Sequence, residues 1–390
     1  MKIFFIGNDF GIYQSNAASN LIRNISRGIH NAGIETHLIS LSIEYGNYKG
    51  EINGVKYYIA VKQLKRNKSL IIRLFHRYFK SRLNLFLYLR KHASSSNSVC
   101  IIYSEKISVY FLSYLIKPFF KTTLIYAVEH PFRENPPNSF QNLSPKVYRF
   151  LVSSIFDGAI CISYYLKDYY SAFWKKNLVV IPSVVDPEQF QRKHVRKVEN
   201  EYICYCGSIT KLKDGVDILI KAFKEVSLEI QDIKLLLIGG FYPPDGTELE
   251  FKCLVEDLNL GNKVVFTGHV DYKDIPSYTL FARVLVFPRP LSLQAKAGFP
   301  TKLPEYLATG IPVVVSKVGD VTKYITEKEA YLVAPGNIHE LKLKLIEALL
   351  DTKSSKNKGL AGQKISHTIF HFNSQGKILA DFLQKNTNSI

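Results

Sequence analysis

Residues 298–316 read GFPTKLPEYLATGIPVVVS, and the fold is decided there. A Gly-Phe-Pro-Thr-Lys turn leads into a short helix carrying Glu305. Gly310 stops the helix, and Pro312 opens an apolar run, 313–315, with the character of a buried strand. Pro304 is tolerable because first-turn helix positions have no partner for a backbone N–H anyway. The amides of 301–304 are expected to point outward, where free N–H groups and a partial positive charge attract phosphate, and Lys302 adds a full charge. Glu305, one turn in, is placed to accept hydroxyl hydrogens beside that phosphate. Phosphate donors next to a hydroxyl acceptor describe a nucleotide ribose site, although the same residues also suit an ordinary capped helix leading to a core strand.

Working outward, strands and helices alternate. Residues 3–6 form a continuous apolar run suited to a strand buried on both faces. Gly7–Gly11 breaks it, Leu21, Ile22, Ile25 and Ile29 then recur at helical spacing, and Gly33 caps. Strand-like runs follow at 36–42, 99–103, 122–128 and 158–163. After a polar stretch, QRKHVRKVENE, the pattern restarts at 202–206, with further strands at 234–238, 263–266 and 284–287. The fold class expected is α/β, with two Rossmann-like βαβ domains. A chain of 390 residues exceeds the size at which one core stops growing. The expected boundaries are 1–185, 186–370 and a last helix, 371–390, packing back toward the first domain.

The formal charge is +18, from 51 basic and 33 acidic residues, and the first half carries most of it. Between Glu51 and Glu105 there is no acid, while Lys62, Lys65, Arg66, Lys68, Arg73, Arg77, Lys80, Arg82, Arg90 and Lys91 all fall there. At helical spacing Ile72, Phe75, Phe79, Leu83 and Phe86 share one arc, opposite Arg73, Arg77, Lys80 and Lys91. An anionic membrane surface is the partner expected for residues 62–92, with KPFFK at 117–121 as a second basic-aromatic spot. A solvated face over a domain core fits the same pattern. No apolar run reaches the ~18 residues needed to span a bilayer, and the first residues are too soon interrupted for a secretory signal. The expected location is therefore cytoplasmic, peripheral on the inner face of the cell membrane. A nucleic-acid partner is not expected, because no recognised module accompanies the basic residues. The five cysteines fit neither a metal spacing nor a disulfide framework and are expected to be reduced core residues.

Two phosphate-friendly turns occur in the second half, GSITKLKDGVD at 207–217 and GFPTK at 298–302. In a parallel sheet both fall at the carboxyl ends of strands, where such folds bind ligands. The segments IPSVVDPEQF, CGSITKLKDGVDILIKAF, LLLIGG, VVFTGHVDYKDIPSYTLFARVLVFPRP and GFPTKLPEYLATGIPVVVS stand in the order found in the GT-B glycosyltransferases of family four, which the chain resembles. The likeness is strong over 178–335 and weaker at 2–42, at 126–131 and at FNSQGKILADFLQK.

The resemblance implies two domains facing across a cleft. It also implies a nucleotide-sugar donor on the second domain, a glycan or lipid-linked acceptor on the first, and neither metal nor cofactor. Glu305 is similar to the family glutamate that binds the donor ribose, and Lys213 to the lysine that neutralises the leaving diphosphate. The turn of Phe299, Pro300, Thr301, Lys302 and Leu303 would add phosphate contacts through its free amides, and Gly239 and Val270 would line the base pocket. His130 resembles the histidine facing the donor sugar, and Gly11 lies in the loop closing over the diphosphate.

Two departures stand out. Ala297 occupies the place of the family's first glutamate, eight residues before Glu305. Gly207-Ser208 replaces a frequent Gly-Arg, with Arg289 the nearest candidate to supply the missing guanidinium. The activity implied is transfer of a hexose-type sugar with retention, in surface polysaccharide synthesis. A nucleotide-sugar epimerase of the same fold and a catalytically inactive scaffold are the alternatives.

Overall fold

The strand β1 (Lys2–Gly7) is apolar on both faces and lies in the middle of a sheet, with β2 (Glu35–Ile43) parallel on one side and β5 (Ser98–Tyr103) parallel on the other. The computed structural model describes every residue except 8, 9, 14, 15, 45, 62–68, 70–78, 94–96, 105–108, 110–112, 115, 116, 118–122, 129–144, 244, 245 and 388–390. The remaining strands of this sheet are β3 (Lys49–Ile52), β4 (Val55–Val61), β6 (Thr123–Val128), β7 (Gly158–Cys161) and β8 (Asn177–Val180). Their order is β3-β4-β2-β1-β5-β6-β7-β8, parallel except for the β3–β4 hairpin. That hairpin, absent from the sequence reading, turns on Asn53 and Gly54, whose φ values of 51° and 81° suit the two-residue turn that matches strand twist.

A second sheet is wholly parallel, in the order β11-β10-β9-β12-β13-β14. It comprises β9 (Glu201–Cys206), β10 (Ile233–Ile238), β11 (Val264–Gly268), β12 (Val284–Phe287), β13 (Val313–Ser316) and β14 (Tyr331–Val333). Every residue of β12, β13 and β14 is buried, as expected for strands covered by helices on both faces. The order reverses between β9 and β12, and at such a switch point the loops leaving the two strands part and open a crevice.

The chain divides into two compact units, Met1–Val184 with Phe372–Ile390, and Val185–His371. The Phe372–Thr387 helix belongs to the first unit and lies against the Ala17–Asn31 helix, whose Ile22, Ile25 and Ile29 are buried. The two helices meet through glycines. A Cβ on Gly28 would lie 2.1 Å from the Phe372 carbonyl oxygen, and one on Gly376 would lie 2.3 Å from the Gly28 carbonyl carbon.

The Ser81–His92 helix turns Ser81, Leu85 and Leu89 to the core and leaves Phe79, Leu83 and Leu87 exposed beside exposed Lys80, Arg90 and Lys91. The anticipated apolar arc is therefore on the outside at Phe79 and Leu83, and half-buried at Phe86. Ile72, Arg73, Phe75 and Arg77 lie outside the described residues, as do 118–121 of KPFFK. Of the cysteines, Cys100, Cys161, Cys204 and Cys206 are buried, whereas Cys253 is exposed, a correction to its expected place in the core. Among the described residues no helix is long and apolar enough to cross a membrane, and no cluster of three or more His, Cys, Asp or Glu is arranged to hold a metal.

At the start of the first sheet, His37 is fully buried between Phe4, Tyr88 and His92, with its ring nitrogens 2.9 Å from the Tyr88 hydroxyl and 3.1 Å from Glu35 Oε1. Burial outweighs the Glu35 carboxylate and Lys56 opposes protonation too, so the imidazole titrates at about 4 rather than 6.5. The unfolded chain takes up this proton below 6.5, the folded unit only near 4. Stability is thus expected to fall as pH drops through that window, by up to about 3 kcal/mol. Glu35, held at about 2 chiefly by Lys56, extends the loss below pH 4.5. Urea melts of the wild type and His37→Phe between pH 7 and 4 check this, and the variant should show the shallower slope.

Candidate functional site

The loop leaving β9 begins at Gly207, whose amide donates to the Ile238 carbonyl at the end of β10. Gly239 follows β10 with φ of +134°, and its amide donates to the carbonyl of Gly268 at the end of β11. A Cβ on Gly239 would lie 1.9 Å from the Gly207 carbonyl oxygen. Only glycine permits this backbone-to-backbone approach, so the ends of three strands form one shallow glycine-lined floor. Val270 stands half-buried two residues beyond Gly268, and Ser208 is exposed beside Gly207, with its carbonyl accepting from the Tyr205 hydroxyl at 2.7 Å.

The rest of the β9 loop is braced from β12. Arg289 reaches Asp214 at 3.5 Å and lies over the Phe287 ring, and it is 7% exposed. Asp214 and Thr210 bond each other, and Gly215, with φ of +68°, leads into the Val216–Glu229 helix against the Pro288 carbonyl. Lys213 is half-buried within this brace. The structure thus gives Arg289 a packing role in the loop that carries Lys213.

The Lys302–Ala308 helix begins beside the same strand end. The Tyr306 hydroxyl receives the Cys206 amide at 2.7 Å and donates to the Cys206 carbonyl at 3.3 Å, which clamps the helix to the last residue of β9. From behind, the Thr352–Thr368 helix holds it through Ser366 to the Pro304 carbonyl and Gln363 to the Ala308 carbonyl. Gly359 makes that contact possible, since a Cβ there would lie 2.0 Å from the Gly310 carbonyl oxygen.

With its helix so fixed, Glu305 is 16% exposed and lies 3.4 Å from the Lys302 ammonium through Oε2 and 3.4 Å from the Tyr272 hydroxyl through Oε1. Glu305 drives the Lys302 ammonium well above its ordinary value, against the effect of burial. The Tyr272 hydroxyl is pushed far up by burial first and then by Glu305. Both therefore remain donors at neutral pH. The charges extend to the strand, because the Cys206 thiol, raised by burial, feels both Lys302 and Glu305.

Of the 299–303 turn, Phe299 and Pro300 are buried, with Phe299 packed against Tyr324 and Phe370. The Leu303 amide donates to the Pro300 carbonyl at 3.2 Å, and Leu303 itself is buried, which corrects the expectation that its N–H points outward. Pro304 has no N–H to offer. Among the described residues the amides of Phe299, Thr301 and Lys302 find no backbone acceptor. Ala297 is buried at the end of the Leu293–Ala297 helix.

Gly11 belongs to the other unit, buried in the loop after β1, where its amide donates to Ser19 and its carbonyl accepts from Arg23. His130 lies outside the described residues, together with Glu129. Glu305, Lys302, Gly207 and Gly239 are therefore gathered at the ends of β9 and β10. Tyr272, Tyr306 and Asp214 join them without having been anticipated. A buried tyrosine distant in sequence carries no local signal, whereas Tyr306, adjacent to Glu305, was within reach of the helical spacing.

Residues 186–365 match the family described as Glycosyl transferases group 1. The chain is 25% identical over 257 residues to the GDP-mannose-dependent alpha-(1-6)-phosphatidylinositol monomannoside mannosyltransferase of Mycobacterium tuberculosis, covering 61% of this chain and 65% of that protein. It thus matches just under two thirds of that relative's length. Among solved structures it is similar to sucrose-phosphate synthase from Thermosynechococcus elongatus, with a TM-score of 0.71, 17% identity and all of both chains covered. It is also similar to HepE of Anabaena in complex with UDP-glucose, with a TM-score of 0.70, 15% identity, and 99% of this chain and 100% of that one covered. At these identities the likeness to solved structures shows the fold, which is GT-B, two parallel-sheet α/β units.

Proposed function

Because residues 186–365 match the glycosyl transferases group 1 family, we propose that the chain is a glycosyltransferase. It moves a hexose-type sugar, with retention, from a nucleotide-sugar to a glycan or lipid-linked acceptor in surface glycan synthesis. The observation that carries this reading is the carboxylate of Glu305, held between Lys302 and Tyr272 at the end of β9 next to the glycine floor. A ribose diol fits an oriented carboxylate. A diphosphate fits the Thr301 amide and the cations Lys302 and Lys213, while a flat base fits a surface with no side chains at Gly207 and Gly239. The named relatives, one using GDP-mannose and one seen with UDP-glucose, support a nucleotide-sugar without fixing its base.

In the reaction the bond between the anomeric carbon and the diphosphate oxygen breaks and a bond to the acceptor oxygen forms on the same face. The hydroxyl proton passes to the departing phosphate oxygen. Negative charge grows on the diphosphate, and positioned donors that meet it there lower the barrier. Lys213 and Lys302 have that role. No resident metal or cofactor is part of the proposal.

A screen of nucleoside diphosphates and their sugars by thermal shift tests it. The fitting donor at one hundred times its Kd should add about 2.7 kcal/mol to the second unit. If no nucleotide raises the melting temperature, the donor site is wrongly placed.

The acceptor reading extends to a membrane. Phe79, Leu83 and Leu87 are 60%, 46% and 50% exposed, and Lys80, Arg90 and Lys91 are exposed with them. Exposed apolar side chains flanked by cations suit an anionic bilayer surface, each cation adding about 1 kcal/mol. The protein is expected to float with anionic liposomes at low salt and not with neutral ones. Phe79→Ser with Leu83→Ser should abolish flotation, and failure of the wild type to float would remove this part.

A further inference from the structure

Tyr272 lies 33 positions before Glu305 in the chain, on the 3-10 turn Tyr272–Asp274 that follows β11, yet its hydroxyl ends at Oε1 of that carboxylate. Lys302 meets the other oxygen, Oε2. Each carboxylate oxygen thus has its own protein donor, from a different segment. Both contacts are 3.4 Å, longer than a strong hydrogen bond, and a carboxylate has about four lone-pair sites. The oxygens are oriented but not saturated, the state needed to receive two further hydroxyl donors at once.

The Tyr272 hydroxyl has Glu305 Oε1 as its hydrogen-bond acceptor. The terminal torsion of a glutamate is soft and roughly two-fold. Without the tyrosine hydroxyl, Glu305 is free to turn both oxygens toward the Lys302 ammonium. A vicinal diol then loses its paired acceptors, whereas a ligand with a single hydroxyl loses little, since one oxygen in any orientation serves it.

Resting on the donor-site reading above, we propose that Tyr272 is a positioning residue that makes the site selective for ribonucleotide over deoxyribonucleotide donors. It acts through Glu305 and takes no part in bond making. Burial and the neighbouring carboxylate keep its hydroxyl protonated, so the selectivity holds across the neutral and mildly alkaline range.

The test uses the full chain with UDP, GDP and their 2′-deoxy forms as probes, bound by calorimetry to the wild type, Tyr272→Phe, Glu305→Gln and the double variant. Cooperative melting of each variant within a few degrees of the wild type verifies folding. The wild type should favour the ribose form by about tenfold or more, the value of a hydrogen bond to a charged group. Tyr272→Phe should weaken the ribose form about three- to tenfold and leave the deoxy form within twofold. The double variant should lose no more than Glu305→Gln alone. In turnover, Tyr272→Phe should raise the donor KM with kcat within twofold. Equal weakening of both forms, or a preserved ribose preference in Tyr272→Phe, would overturn the proposal and leave the donor site standing. A wild type that binds nucleotides without any ribose preference would overturn the proposal together with the role of Glu305.

Discussion

Lys213→Ala is expected to lower kcat by about 100- to 1,000-fold, the usual cost of removing one positioned stabiliser of transition-state charge. Its loop is held from beneath by the Arg289–Asp214 pair and from the side by Thr210, contacts to which the alanine variant adds no strain. Folding should therefore be unchanged, and the loss should appear in kcat more than in the donor KM. Glu305→Gln attacks the same ligand from the ribose end. It keeps the shape of the side chain but removes the charge that Lys302 and Tyr272 surround, so donor binding should weaken about 10- to 100-fold. Initial-rate kinetics with the donor found by thermal shift, alongside circular dichroism of each variant, separates the two effects. Full activity in both variants would end the assignment.

The second large effect concerns stability. At Gly239 an alanine would combine a φ of +134° with a Cβ 1.9 Å from a backbone carbonyl of the neighbouring strand. Neither is relieved by a side-chain rotation. Backbone strain and overpacking each cost about 1–3 kcal/mol, so Gly239→Ala should destabilise the second unit by about 2–6 kcal/mol. The adjacent Gly240 is the control, since a Cβ there meets nothing within 4 Å. Guanidinium melts should show Gly240→Ala within about 1 kcal/mol of the wild type. If the two alanines behave alike, the close approach of β9 and β10 is not as described.

The strands were legible because parallel strands covered on both faces read as unbroken apolar runs. The 284–287 run is β12 to the residue, and the others differ from the structure by a few positions at their ends. The β3–β4 hairpin was missed although Asn53-Gly54 announces it, because β3 is a short, mostly exposed edge strand and EINGVKYYIA mixes polar and apolar residues. Helix geometry made the Lys302–Glu305 pair readable, since positions three apart share a face. The contacts of Tyr272, and the Asp214 partner of Arg289, were not readable in the same way. What each touches is decided by which strand ends lie side by side, and that is a property of the sheet order. The helical arc drawn through Phe79 and Leu83 was periodic but pointed away from the core, which Leu85 and Leu89 supply instead.

The glycine crossing of the Ala17–Asn31 and Phe372–Thr387 helices reverses the order in which this chain can mature. Domains generally fold as units while the ribosome is still at work, N-terminal first. Here the second unit is continuous in sequence and complete once His371 has emerged, while the first still lacks the helix that meets Ala17–Asn31 at Gly28. The nascent N-terminal sheet must wait for its last helix through about 190 further residues of translation.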